Sequence, residues 1–115
     1  MSLRDRILQA PDLKSKSMEI EEWGVTIELR SMNGTQRARM MKESFDAQTK
    51  EVRWDYASLI IAGAYDPETG ELIFTESDRE SLNEKHGGVL EEIAMEVLKL
   101  SGLSDDSLVE SEKNS

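Results

Sequence analysis

Apolar and polar residues alternate between Met18 and Leu29, but the alternation changes phase halfway. Met18 and Ile20 occupy even positions, whereas Trp23, Val25, Ile27 and Leu29 occupy odd ones. A period of two marks a strand with one buried face. A single strand cannot change faces without a bend, bulge or turn to absorb the shift. Gly24 stands at the change of phase and accepts positive φ at no steric cost. The pattern predicts two short strands, over 17–21 and 25–30, joined at Glu22-Trp23-Gly24 as a hairpin or strong bulge.

Elsewhere the period is helical. Leu3, Ile7 and Leu8 share one side of a predicted helix over 3–10, which Pro11 stops before a polar connector at 12–17. Asn33 with Gln36 forms a capping-box pattern opening a helix over 34–48, with Met40, Met41 and Phe45 as its apolar face. Trp54, Ala57, Ile61 and Ala64 recur at helical spacing, although Leu59-Ile60-Ile61 alone would also suit a buried strand. The length of that periodicity favours a helix over 53–65. Asp66-Pro67-Glu68-Thr69-Gly70 then reads as a turn, and Leu72-Ile73-Phe74 as a very short strand.

Thr75 and Asp78 open a polar helix over 76–85, broken at Gly87-Gly88. The last helix carries Val89, Leu90, Ile93, Ala94, Val97 and Leu98 in a wide apolar stripe, with Gly102 as its stop. Residues 104–115 are polar and acidic apart from Leu108 and Val109, and are expected to be disordered. The fold class that results is α+β and predominantly helical: an N-terminal helix, a small antiparallel hairpin or meander, then about four helices. It forms a single domain over 1–103. No internal repeat stands out.

Composition narrows the function. A net charge of −10 disfavours nucleic acid, whose binding rests on Lys and Arg neutralising phosphates. It suits a basic protein partner instead. No apolar run approaches the 18 residues of a membrane span, and no secretory leader is evident. The cytoplasm is therefore the expected location. With no cysteine and only His86 among the histidines, thiol chemistry and two-histidine metal sites are excluded. His86, placed before two glycines, reads as a helix-end residue. The Asp66–Glu71 segment fails the calcium-loop pattern, because its glycine falls at position 5 and residue 77 is Ser77. The chain is expected to be no enzyme and to need no cofactor or metal. Binding is what remains. Met40, Met41 and Phe45 are candidates for an adaptable apolar surface, and Leu108 and Val109 for a short docking segment in the tail.

The order of segments adds a resemblance. A short leading helix, the EEWG turn between alternating strands, a capped helix near NGTQR and the run AYDPETGELIFTESDRESLNEKHGGVLEEIAMEVLKLSGL together resemble the phage tail assembly chaperones. The resemblance spans about residues 3–103 and rests on order and spacing. It implies a non-catalytic protein of the bacterial host cytoplasm that coats the tape-measure protein until tail-tube subunits assemble around it. It also implies that the chaperone is left out of the mature virion. The tail-tube protein is a further partner by this reading, and self-association is a third. A longer frameshifted product would begin in the tail after Leu103. A small acidic adaptor domain binding a basic protein is the alternative.

Overall fold

The structure, a computed structural model, describes residues 1–103. The hairpin forms, and its register accounts for the change of phase. β1 (Ser15–Ile20) and β2 (Val25–Arg30) run antiparallel, with Met18 opposite Ile27 and Ile20 opposite Val25. Each pair joins an even position to an odd one, and directly opposed residues share a face. Met18, Ile20, Ile27 and Leu29 therefore turn to one side, where all but the half-buried Met18 are buried. Glu21–Trp23 make a 3-10 turn closed by Gly24 at φ 64°. β1 begins earlier than the expected 17, because Ser15 and Lys16 pair with Arg30 and Leu29.

The helices follow with corrected ends. α1 spans Leu3–Gln9, with the Ser2 hydroxyl accepting the Asp5 N–H. α2 spans Gly34–Ser44 behind the expected Asn33–Gln36 capping box. It does not reach residue 48. Phe45 is already extended and bridges Val52 across a tight turn. α3 is Tyr56–Gly63, shorter than 53–65 at both ends. Trp54 precedes it, and Ala64-Tyr65 leaves it to become β3, which pairs antiparallel with Leu29 and Glu28. Two forces favour this exit. Gly63 is a poor helix former, and the free edge of β2 offers backbone groups that need partners. The sheet order is β1-β2-β3.

Leu72-Ile73-Phe74 does not form a strand: Leu72 makes one isolated bridge to Tyr65. The polar helix divides into a 3-10 turn, Glu76–Asp78, and α4, Arg79–Asn83. The Asp78 carboxylate reaches back to the Thr75 N–H at 2.9 Å, as the capping pattern requires. α5 spans Gly87–Leu100, so Gly87 and Gly88, expected as a break, are its first two residues, while its apolar stripe and its stop at Gly102 fall where expected. It ends in a Schellman motif, where Leu103 N–H bonds to Leu98 C=O at 2.7 Å and Gly102 N–H to Lys99 C=O at 3.1 Å.

The core lies where α3 and α5 pack against each other and cover the inner face of β2. Leu29, Leu59, Ile60, Ile93, Val97 and Leu98 are its fully buried side chains. The helices approach so closely that a Cβ on Gly63 would meet the Val97 methyls at 2.8 and 2.9 Å. Only glycine fits there.

One turn occurs twice. Asp46–Glu51 (DAQTKE) and Asp66–Glu71 (DPETGE) close the same way. In each the aspartate N–H bonds to the glutamate C=O, at 2.9 and 2.8 Å. In each the aspartate carboxylate accepts the N–H two residues on, at 2.9 and 2.8 Å. The fifth residue has positive φ in both: Lys50 at 62° and Gly70 at 75°. Asp66, weighed above as a calcium ligand, thus caps its own turn.

Candidate interaction surface

The residues singled out for partner binding separate in space. Met40 faces inward from α2 and is 5% exposed, so it belongs to the core. Met41, one position on, is half-buried, in keeping with a rotation of about 100° per residue. Phe45 falls beyond the helix end and is 50% exposed. Ser44, not Phe45, is the buried residue of the last turn. Leu108 and Val109 lie outside the described residues.

Beside Met40 a cleft of about 210 Å³ opens between α2 and α3. Met40, Ile61, Ala62 and Leu72 line it, together with the Arg39–Glu43 ion pair and Glu76. The Gln36 amide crosses from α2 to the Ala62 C=O at 3.4 Å. Leu72 is exposed, since a single bridge holds it. The cleft is apolar within and charged around, a form suited to one face of an amphipathic partner helix.

Near the cleft an ion network ties α4 to the start of α3. Arg79 donates to Glu76 at 2.9 Å and reaches Asp55, which in turn accepts the buried Ser58 hydroxyl at 2.8 Å. The hydrogen bond from Arg79 holds the Glu76 carboxyl below its ordinary value, and the same bond raises the guanidinium of Arg79. Neither group lies in an enclosed site.

His86 is the N-cap of α5: its Nδ1 accepts the Gly88 N–H at 3.0 Å. The ring stands so close that a Cβ on Gly88 would touch it at 3.1 Å. The six-residue apolar stripe of α5 lies in the core, and of its other apolar residues Met95 and Leu100 are partly buried. Among the described residues no cluster of three or more His, Asp or Glu side chains could hold a metal. None of the described helices is long and apolar enough to cross a membrane.

The larger groove was missed by sequence reasoning. Glu22, Trp23, Ile73, Phe74, Asp78 and Leu82 line about 530 Å³ at the turn end of the hairpin. A neighbouring cavity of about 340 Å³ shares Trp23, Ile73 and Phe74 with it and adds Val25, Asp66 and Glu68. The only signal in the sequence was Leu72-Ile73-Phe74, an apolar triplet that follows a turn and is too short for a periodic run.

Comparison with solved structures supports the fold. The chain is similar to the solved structure of the bacteriophage HK97 tail assembly chaperone, with a TM-score of 0.59 over 84% of this chain and 95% of that one. Identity between the two is 19%. No protein-family model and no curated protein matches at the level of sequence.

Proposed function

We propose that this protein is a non-catalytic tail assembly chaperone that binds the tape-measure protein of a long-tailed phage or prophage and keeps it soluble. The observation that carries the reading is the fold shared with the HK97 tail assembly chaperone over nearly the full length of both chains. The order of segments in the sequence supports it independently of the coordinates. The physical requirement is simple. A long apolar helix left uncovered aggregates, and a binder with a net charge of −10 keeps such complexes apart.

The cleft between α2 and α3, with Met40 in its lining, is the surface proposed for this client, and Met41, Phe45, Leu108 and Val109 are proposed as further contacts. The test is co-expression with the tape-measure protein of the same genome. A soluble complex that co-elutes on size exclusion supports the reading. An insoluble tape measure, with the chaperone running alone, removes it. The net charge favours one other reading, an acidic adaptor for a basic protein. Salt separates the two: apolar binding persists at high ionic strength, whereas binding between charged surfaces weakens steeply.

A further inference from the structure

The cleft between α2 and α3 and the Trp23–Ile73–Phe74 groove differ in how their charges are satisfied. Around the cleft the charges are paired, Arg39 with Glu43 and Glu76 with Arg79. Around the groove they are not. Glu22, Asp66, Glu68 and Asp78 stand at its walls against the single cation Lys85. None of these five takes part in an ion pair among the described residues. Asp66 and Asp78 accept backbone N–H groups of their own turns, which holds both carboxylates in place. Glu19 and Glu21 adjoin Val25 in a neighbouring hollow and add charge of the same sign.

The floor of the groove is the core's own face continued outward. Val25, Ile27 and Leu29 point to one side of β2, and their exposure falls from 46% to 6% to 0%. The inner face of β2 thus runs out from under the core and ends in the groove. Leu82 is buried at the α4 side, Trp23 and Phe74 are half-buried, and Ile73 is exposed. Trp23, Ile73 and Phe74 form a ridge between two hollows, about 530 Å³ toward α4 and about 340 Å³ toward β2.

We propose that this groove docks a basic amphipathic helix of a partner protein, whose apolar side chains recur a turn apart and are flanked by Lys or Arg. Two hollows on a shared ridge fit such staggered anchors. The cations meet the four unpaired carboxylates, and the Trp23 ring, which borders both hollows, offers them a cation–π surface. The apolar floor holds the helix, while the acidic walls speed its approach and reject acidic competitors. The site is separate from the α2–α3 cleft, so the inference does not depend on the client proposed there.

Tryptophan emission tests it. Trp54→Phe leaves Trp23 as the only tryptophan of the full chain. The probe is a synthetic Leu–Lys peptide of about five helical turns, with leucines at i, i+3, i+4 and i+7 spacing. Trp23 emission should shift and saturate at one peptide per chain, and a scrambled peptide of the same composition should bind at least about ten-fold more weakly. Ile73→Ser should weaken binding about ten-fold. Glu22→Gln with Glu68→Gln should weaken it about three-fold or more and flatten its salt dependence. Leu72→Ser, one residue away but in the lining of the α2–α3 cleft, should leave the affinity within about two-fold. Val25→Ser replaces Ile73→Ser if far-UV circular dichroism shows that the latter misfolds. Unmoved Trp23 emission, equal binding of the scrambled peptide or of a Leu–Glu counterpart, groove variants that bind like the parent, or a larger loss at Leu72 than at Ile73 would each overturn the proposal.

Discussion

α5 and α1 are both capped helices with one apolar side, and the molecule treats them in opposite ways. α5 places six apolar residues in the core and closes with a buried Leu103. α1 places none. Length and the breadth of the stripe separate them. Fourteen residues with a wide apolar face can cover both α3 and β2, while seven residues with three aliphatic side chains cannot displace what already covers the sheet. Amphipathicity thus announces a helix that needs a partner. It does not say whether the partner is in the same chain.

The comparison breaks most sharply if the core and α1 respond alike to truncation. Leu59→Ala and Ile93→Ala, at fully buried positions, should each lower unfolding stability by about 2–5 kcal/mol in urea titrations. Ile7→Ala on the exposed α1 should change it by less than about 0.5 kcal/mol at concentrations where the protein is monomeric. A large loss from Ile7→Ala would mean that α1 packs on its own body.

Gly63→Ala comes next, at about 1–3 kcal/mol, because the new methyl overlaps Val97. Adding Val97→Ala should recover part of that loss in a double-mutant cycle, since the clash is with its methyls. Strict additivity would show that the close approach of α3 and α5 is not the cause.

The recurring turn gives a smaller and signed effect. Lys50 adopts the φ that Gly70 adopts in the equivalent place, at a cost of about 1–2 kcal/mol for a residue with a Cβ. Lys50→Gly should therefore stabilise by up to about 1 kcal/mol, and Gly70→Ala should destabilise by a similar amount. Thermal unfolding of the two variants should shift in opposite directions.

The smallest effect is the titration of Glu76. Its carboxyl is held low by the bond from Arg79, so its contribution to stability is complete above the ordinary glutamate range and is lost as pH falls through the depressed value. Arg79→Gln should move the Glu76 titration upward toward the ordinary value, as read by carboxyl-carbon NMR. An unmoved midpoint would show that the ion pair does not form in solution.

Much of the site was legible in the sequence only by its exclusions. His86 could be placed at a helix end from the two glycines after it, and the capping boxes at Asn33 and Thr75 fixed where two helical segments begin. The interaction surfaces were not legible. Met40 and Phe45 looked alike as apolar residues of one helix, and only the departure of the chain at Ser44 put one in the core and the other outside. The Trp23 groove joins residues some fifty positions apart, which no local pattern can bring together.

By itself the sequence determined whatever rests on contacts within a few residues. The hairpin follows from alternation that reverses at Gly24, α5 from its stripe and its Gly102 stop, and the helix starts from their caps. These signals are local because hydrogen bonds in turns and helices close over short loops. Tertiary structure alone decided that Ala64-Tyr65 leaves α3 to join β2, that α2 stops at Ser44 and that α1 is left uncovered. Each of those outcomes is a competition between a local preference and a distant partner: an edge strand's unpaired backbone, the bridge to Val52, a sheet face already taken by α3 and α5. The distant partner's position is a property of the fold, and no window along the chain contains it.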